Sequence, residues 1–153
     1  MNLHNWKQRY APTSASAFKS LSHEDIEVQL AAAKHSLRKW IGLRRWNKLT
    51  SEAREALFPT SDNCALCQLN LERGGEHAPA CETCPLYEAR GFTSCDEETG
   101  DAKVKSPYGM FSYDKTKTPE PMIYWLKLVV RRLVRELYAK AHVPLLGSVE
   151  SIE

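Results

Sequence analysis

The chain has 153 residues, of which 42% are hydrophobic and 26% charged, and its formal net charge is +2. These values are ordinary for a globular domain with its own core, and no apolar run approaches the ~20 residues of a transmembrane helix. The first ten residues also lack the apolar centre of a secretory signal, so we expect a cytoplasmic protein with no membrane partner, in which thiols stay reduced.

The amino-terminal part of the chain predicts an arm followed by a helical segment. Residues 1–20 are polar and are expected to form a flexible arm. Residues 21–60 are expected to be helical, with Ser22 as the cap of a first long helix. This helix carries apolar residues at three- and four-residue steps and should end near Gly42. A shorter helix is expected from about residue 51 to residue 57.

Residues 61–101 contain every cysteine of the chain. They form two Cys-x-x-Cys pairs and one later single cysteine: Cys64, Cys67, Cys81, Cys84 and Cys95. Four thiolates at such spacing are typical ligands of a structural Zn²⁺ ion, and the odd cysteine count in a reducing compartment argues against disulfides. We therefore predict a small zinc module, ribbon or treble-clef-like, in which a proline after the second pair starts a short helix.

The spacing leaves open which four cysteines bind the metal. The two pairs are the simplest set, with Cys95 spare, and a second set uses Cys95 in place of Cys81. His77 is a further candidate ligand, and an iron–sulfur cluster or ordinary redox thiols are alternatives to zinc. Four sulfur ligands leave no open position on the ion, and the chain has no recognised catalytic motif, so we do not expect an enzyme.

The charges are unevenly distributed along the chain. Residues 1–60 carry ten Lys or Arg and five Asp or Glu, residues 61–101 carry two and nine, and residues 102–153 carry nine and five. The zinc module is therefore predicted to be an acidic insert between basic segments. This charge is unfavourable for contact between the module and a phosphate backbone.

Residues 102–153 are expected to contain a linker and a second long helix. Thr118 is its expected cap and Pro119 its first residue, and the helix should continue to about Ala141. Its apolar stripe should pack on the first long helix. The stripe is wider than one neighbouring helix requires, which is compatible with a homodimer. The predicted fold class is thus mainly α, with two long helices and an inserted zinc module.

Basic residues on and after the two long helices form the candidate interaction surface. A tryptophan that follows the first helix is expected to be exposed among arginines, as in many interface anchors. The alternatives are a solvated helix face opposite the core, or a surface for nucleic acid. The candidate residues are Arg38, Arg44, Arg45, Trp46, Arg131, Arg132 and Arg135.

The order of motifs around the cysteines is a further feature of the chain. It runs His35-Ser36-Leu37-Arg38-Lys39-Trp40, Cys64-Ala65-Leu66-Cys67, Cys81-Glu82-Thr83-Cys84-Pro85-Leu86, Gly91, Cys95 and Ser106-Pro107-Tyr108. This order resembles a group of small uncharacterised proteins common in phage genomes. The resemblance implies metal binding and a phage or prophage origin, and it supplies no catalytic residue.

Small phage proteins without catalytic residues often act by binding a host protein. We therefore predict a zinc-stabilised binding protein that inhibits or redirects a component of host defence or transcription. The alternative is a small DNA- or RNA-binding regulator that uses the basic helix faces.

Overall fold

The computed structural model describes residues 1–71, 81–91, 95, 106–112 and 117–142 of the chain. The α-helices are α1 Leu3–Tyr10, α2 Ile26–Gly42, α3 Ser51–Leu57, α4 Ala65–Leu69, α5 Pro85–Ala89, α6 Pro107–Ser112 and α7 Glu120–His142. Short 3₁₀ helices cover Ala15–Phe18, Leu43–Lys48, Ser61–Asn63 and Cys81–Thr83. The predicted mainly α class is confirmed, whereas the described residues do not show the zinc module that was expected with it.

The two long helices α2 and α7 make the largest helix–helix contact of the structure. Leu126 and Val129 of α7 are fully buried, as the apolar stripe predicts. The start of α2 differs from the expected Ser22 cap, because the carboxylate of Asp25 accepts the backbone N–H groups of the first helical turn and the helix starts at Ile26. Among the helices that the structure describes, none is long and apolar enough to cross a membrane.

The amino-terminal residues belong to the core, and the expectation of a flexible arm over 1–20 is wrong. α1 packs on α2 with Trp6 fully buried, and the indole N–H of Trp6 donates a hydrogen bond of 2.9 Å to the carbonyl of Gly42. Trp6 and Tyr10 lie one turn apart on the same side of α1. These two large aromatic side chains, with the partly buried Leu3, attach a helix whose other residues are polar.

An aromatic cluster joins α2, α6 and the 3₁₀ helix that follows α2. Trp46, expected to be exposed, is only 9% exposed, and its ring centroid lies 5.2 Å from that of Phe111 and 6.3 Å from that of Phe58. The chain continues past α2 as a 3₁₀ helix, which turns Trp46 inward. Phe111 also packs edge-on against Trp40, so α6 closes the core where an irregular linker was expected.

Part of the predicted zinc module lies outside the described residues. The structure describes 61–71, 81–91 and 95 of this segment. His77 and most of the acidic residues of the predicted insert are therefore not covered, and the same is true of 102–105 and 113–116 in the expected linker.

Candidate metal centre

All five cysteines line one small cavity of about 30 Å³. None of them forms a disulfide, and each is partly buried. A cavity of this volume accommodates a single water-sized object. The structure therefore brings together the complete set of cysteines from which the sequence predicts a metal site.

The first Cys-x-x-Cys pair lies at the amino end of α4. Cys64 is the N-cap residue, and its sulfur accepts the backbone N–H of Cys67 at 3.4 Å. A hydrogen bond between the two side chains lowers the pKa of Cys64 and raises the pKa of Cys67. Cys64 is therefore the more acidic thiol of the pair and Cys67 the less acidic one.

The second pair lies in a matching position at the amino end of α5. Cys84 is the N-cap residue before Pro85, and its N–H donates to the carbonyl of Cys81 at 3.0 Å, which closes a tight turn. Burial raises the pKa of Cys84 to about 12, although the N–H groups of Leu86 and Tyr87 oppose this increase. A proline that starts a helix directly after the second pair is what the sequence predicts.

Hydrogen bonds hold the cysteine-bearing segments in place. Asn70 is 2% exposed; its amide donates to the carbonyl of Leu66 at 2.8 Å, and its side-chain oxygen accepts the hydroxyl of Thr83 at 2.9 Å. The carbonyl of Cys95 accepts the backbone N–H of Tyr108 at 3.2 Å. These contacts fix the positions of the two pairs and of the last cysteine around the cavity.

A buried lysine next to the cysteines is the residue that sequence reasoning missed. Lys39 is 4% exposed, and its ammonium donates to the backbone carbonyl and the side-chain oxygen of Asn63 at 2.9 and 3.3 Å. Burial lowers its pKa, and the nearby sulfurs of Cys64, Cys67 and Cys95 oppose this effect. Lys39 thus belongs to the cysteine site and not to a solvated basic face.

A signal for this burial exists in the sequence. The buried residues Ala32, Ser36, Lys39 and Leu43 recur at three- and four-residue steps, so α2 and the residue after it carry a second inward stripe. Its two polar members conceal the pattern, because serine and lysine are mostly exposed in proteins.

The described residues do not form a ready coordination shell. Among them, no group of three or more His, Cys, Asp or Glu side chains is arranged to hold a metal ion. The cavity collects five sulfur side chains, but Cys64 and Cys67 are hydrogen-bonded to each other. An ion bound here would have to displace thiol protons and draw the sulfurs inward, because metal-ligating cysteines are thiolates.

Three of the predicted interaction residues bind other parts of the chain. Arg44 forms a two-pronged ion pair with Glu120, at 2.6 and 2.9 Å. Arg45 donates to the hydroxyl of Tyr10 at 2.6 Å, and Arg38 donates to a backbone carbonyl of α1 at 2.9 Å. These arginines hold the fold together in addition to giving it positive charge.

Arg132 likewise connects two helices. It donates to the carbonyl of Pro85 at 3.3 Å and lies 3.7 Å from the carboxylate of Glu88 in α5 and 3.6 Å from that of Glu136. The contact between α7 and the helix that follows the second cysteine pair therefore includes a charged component.

The remaining predicted arginines lie on an exposed stripe, which we call the α7 outer face. Arg131 and Arg135 are exposed and have no ion pair within the part of the chain that the structure describes. Tyr124 is 58% exposed, the largest value among the exposed large hydrophobic residues described. The face comprises Tyr124, Lys127, Arg131, Val134, Arg135 and Tyr138.

Comparison with known proteins adds no family assignment. No protein-family model, curated protein or solved structure matches the chain. The candidate centre is interpreted from its own geometry and from the cysteine pattern.

Proposed function

We propose that the protein is a zinc-stabilised helical binding protein that acts by contact with another protein. The observation that carries the proposal is the convergence of all five cysteines on one cavity of about 30 Å³. Thiolate sulfur is the donor that Zn²⁺ takes in closed structural sites. A single ion suits this volume better than an iron–sulfur cluster, which contains several iron and sulfide ions.

Four of the five cysteines would bind the ion. Cys64, Cys67 and Cys84 are common to the sets that the spacing allows, and either Cys81 or Cys95 is the fourth ligand. Two short helices that begin at metal-binding pairs suit a treble-clef-like module. A shell of four sulfurs is closed, so we propose a structural ion and no enzymatic activity.

The surface that we propose for the partner is the α7 outer face. Tyrosine and arginine are enriched among the residues that dominate interface energies. This face combines two tyrosines and an exposed valine with three cations, and the neighbouring carboxylate of Glu120 is already paired with Arg44. Because Arg131 and Arg135 are not engaged in ion pairs within the described residues, binding would not have to break one.

The partner that complements this face is an acidic protein surface that also offers apolar side chains. Opposite charge accelerates encounter and excludes like-charged partners, while the aromatic and aliphatic groups supply area for burial. The phage-like cysteine pattern adds the context of a host protein, such as a defence or transcription component, in the host cytoplasm.

A small nucleic-acid-binding regulator is the second candidate, and the same three cations favour it. Phosphate contacts need positive charge and give a steep dependence on salt. Val134 and the tyrosines are not needed for such contacts, which is why we rank protein contact first. A homodimer through α7 is a third arrangement, and the double variant described below tests it as well.

The test compares wild-type protein with an Arg131→Glu/Arg135→Glu variant and with Lys34→Glu, an exposed control on α2. We expect a host protein that wild type and the control retain from a cell lysate and the double variant does not. The purified pair should then bind directly. Tight binding of duplex DNA or of RNA that weakens steeply with salt, without a retained protein, would favour the second candidate. If wild type and the control form a dimer and the double variant does not, the partner is a second copy of this chain.

A further inference from the structure

The face of α2 that carries Ser36 and Lys39 lies next to the cysteines. These two residues and four of the cysteines line a cavity of about 430 Å³ that adjoins the smaller one. Both side chains are almost fully buried, at 1% and 4% exposure, and they lie one helical turn apart. An ammonium and a hydroxyl thus enter the same space as the sulfurs.

Lys39 needs a negative partner in this position. Its ammonium donates to the carbonyl and the amide oxygen of Asn63 and lies 5.6 Å from the ring centroid of Trp40. None of these groups carries a charge, and Lys39 forms no ion pair with a described carboxylate. A buried cation without a counter-charge is unfavourable, because it has lost its hydration and gained no opposite charge in return. The cysteine sulfurs at the wall of the same cavity would be the anions available to it once metal binding deprotonates them.

The charge of a zinc centre matches this requirement. Four thiolates around Zn²⁺ have a net charge of about −2, because each deprotonated sulfur contributes one negative charge. One ammonium beside such a centre removes about half of this excess. The attraction is mutual. The ammonium lowers the free energy of the negatively charged sulfurs, and the sulfurs stabilise the buried ammonium.

Ser36 supplies the second observation. Its hydroxyl is buried and has no regular hydrogen-bond partner among the described residues. Ser36 lines the same cavity as Cys64, and it helps to lower the pKa of the Cys64 thiol. A hydroxyl placed in this way can donate to a metal-bound thiolate, whereas a buried hydroxyl left without a partner destabilises the fold.

We infer that Lys39 is the built-in counter-ion of the metal centre and that Ser36 is a hydrogen-bond donor to its Cys64 sulfur. Both are positioning residues that act through the metal-binding sulfurs. The inference rests on the proposed zinc centre. Through these two residues α2 becomes a structural part of that centre. The same helix also packs against α7.

The experiment measures metal affinity by competition with a chromophoric zinc chelator, and thiolate coordination by Co²⁺ absorption. Lys39→Met should weaken zinc binding by about 10- to 100-fold, the range found when residues that support metal ligands are replaced. Lys39→Arg should retain more affinity than Lys39→Met because it keeps the charge, and Ser36→Ala should show a smaller loss. Lys34→Met removes an exposed lysine from the same helix and should bind zinc like wild type.

The melting temperature with and without metal separates a charge effect from a packing effect. Lys39→Met should lower the melting temperature of metal-loaded protein more than that of metal-free protein. An equal decrease in both states, or unchanged zinc affinity, would overturn the inference. If Lys39→Met does not fold, Ser36→Ala decides, and wild-type affinity in that variant overturns the inference. Wild-type protein that binds neither Zn²⁺ nor Co²⁺ would instead refute the zinc centre itself.

Discussion

The hydroxyl of Thr83 donates a hydrogen bond of 2.9 Å to the side-chain oxygen of Asn70. Asn70 follows the first Cys-x-x-Cys pair by three residues, and Thr83 lies inside the second pair. Because Asn70 is buried and also holds the end of α4, this bond fixes one pair relative to the other. The alignment of the cysteines thus depends on two residues that have no role in metal chemistry.

Replacement of Thr83 tests this connection. Thr83→Val keeps the shape of the side chain but leaves the buried oxygen of Asn70 without this donor, which should lower the free energy of unfolding by about 1–3 kcal/mol. Denaturant unfolding measures the change. Thr13→Val, at an exposed position, is the control and should stay within about 0.5 kcal/mol of wild type. Equal stability of the two variants would contradict a structural role for the bond.

A methyl group at Gly42 should destabilise the fold. A Cβ there would lie 2.5 Å from the Tyr10 ring and 2.7 Å from the Trp6 ring. Gly42 has helical backbone angles, so helix propensity alone would make Gly42→Ala stabilising by about 1 kcal/mol. We expect the clash to prevail, with a net loss of about 1–3 kcal/mol in thermal or denaturant unfolding. A variant more stable than wild type would show that α1 can shift without cost.

The metal content can be measured directly. We expect about one zinc per chain by elemental analysis, and a clear decrease of the melting temperature when a strong chelator removes the ion. Cys84→Ser should abolish binding. Of Cys81→Ser and Cys95→Ser, one should bind zinc almost as wild type does, and that variant identifies the spare cysteine. Metal-free protein with an unchanged melting curve would rule out a structural ion.

The ion pair between Arg44 and Glu120 predicts a modest dependence of stability on pH. The hydrogen bond from Arg44 holds the pKa of Glu120 below its ordinary value. The pair therefore stabilises the fold above the unfolded pKa of about 4.3, and this contribution is lost as the pH falls through the lower folded pKa. Both side chains are well exposed, so Glu120→Gln should cost at most about 1 kcal/mol at pH 7. The difference from wild type should shrink towards pH 2; a difference that is constant with pH would exclude this charge effect.

Arg131 and Arg132 are neighbours in sequence with different structural roles. Arg132 contacts α5, so Arg132→Ala should lower the free energy of unfolding by about 0.5–1.5 kcal/mol. Arg131 is exposed, so Arg131→Ala should change it by no more than about 0.5 kcal/mol. Chemical denaturation distinguishes them. Equal effects would mean that the contact of Arg132 with α5 adds no stability.

Periodicity was sufficient to predict the helices that carry a continuous apolar stripe. α7 was expected over 119–141 and covers Glu120–His142, and α3 was found at its expected position. The helix α1 could not be found in this way, because Trp6 buries itself against Gly42, a residue far along the chain. Burial of this kind is a tertiary effect that local pattern does not contain.

The sequence predicted that the cysteines come together, but it did not predict what surrounds them. All five line one cavity, as their spacing suggested, and their binding of a metal stays a prediction. Lys39 was missed because lysine is almost never buried without a partner, and here the candidate partners are sulfurs brought together only by the fold. Trp46 was expected to be exposed because arginines flank it in the sequence. The 3₁₀ helix after α2 instead directs its ring into the core.

The order of the elements along the chain has a consequence for how fast the protein folds. α2 and α7 pack on each other, and the cysteines lie in the long segment between them. Loop closure costs more entropy as the loop lengthens, and an ion that links the cysteine pairs shortens the loop that α2 and α7 must close. If the proposed ion binds before the helices dock, the refolding rate should rise with the supply of zinc.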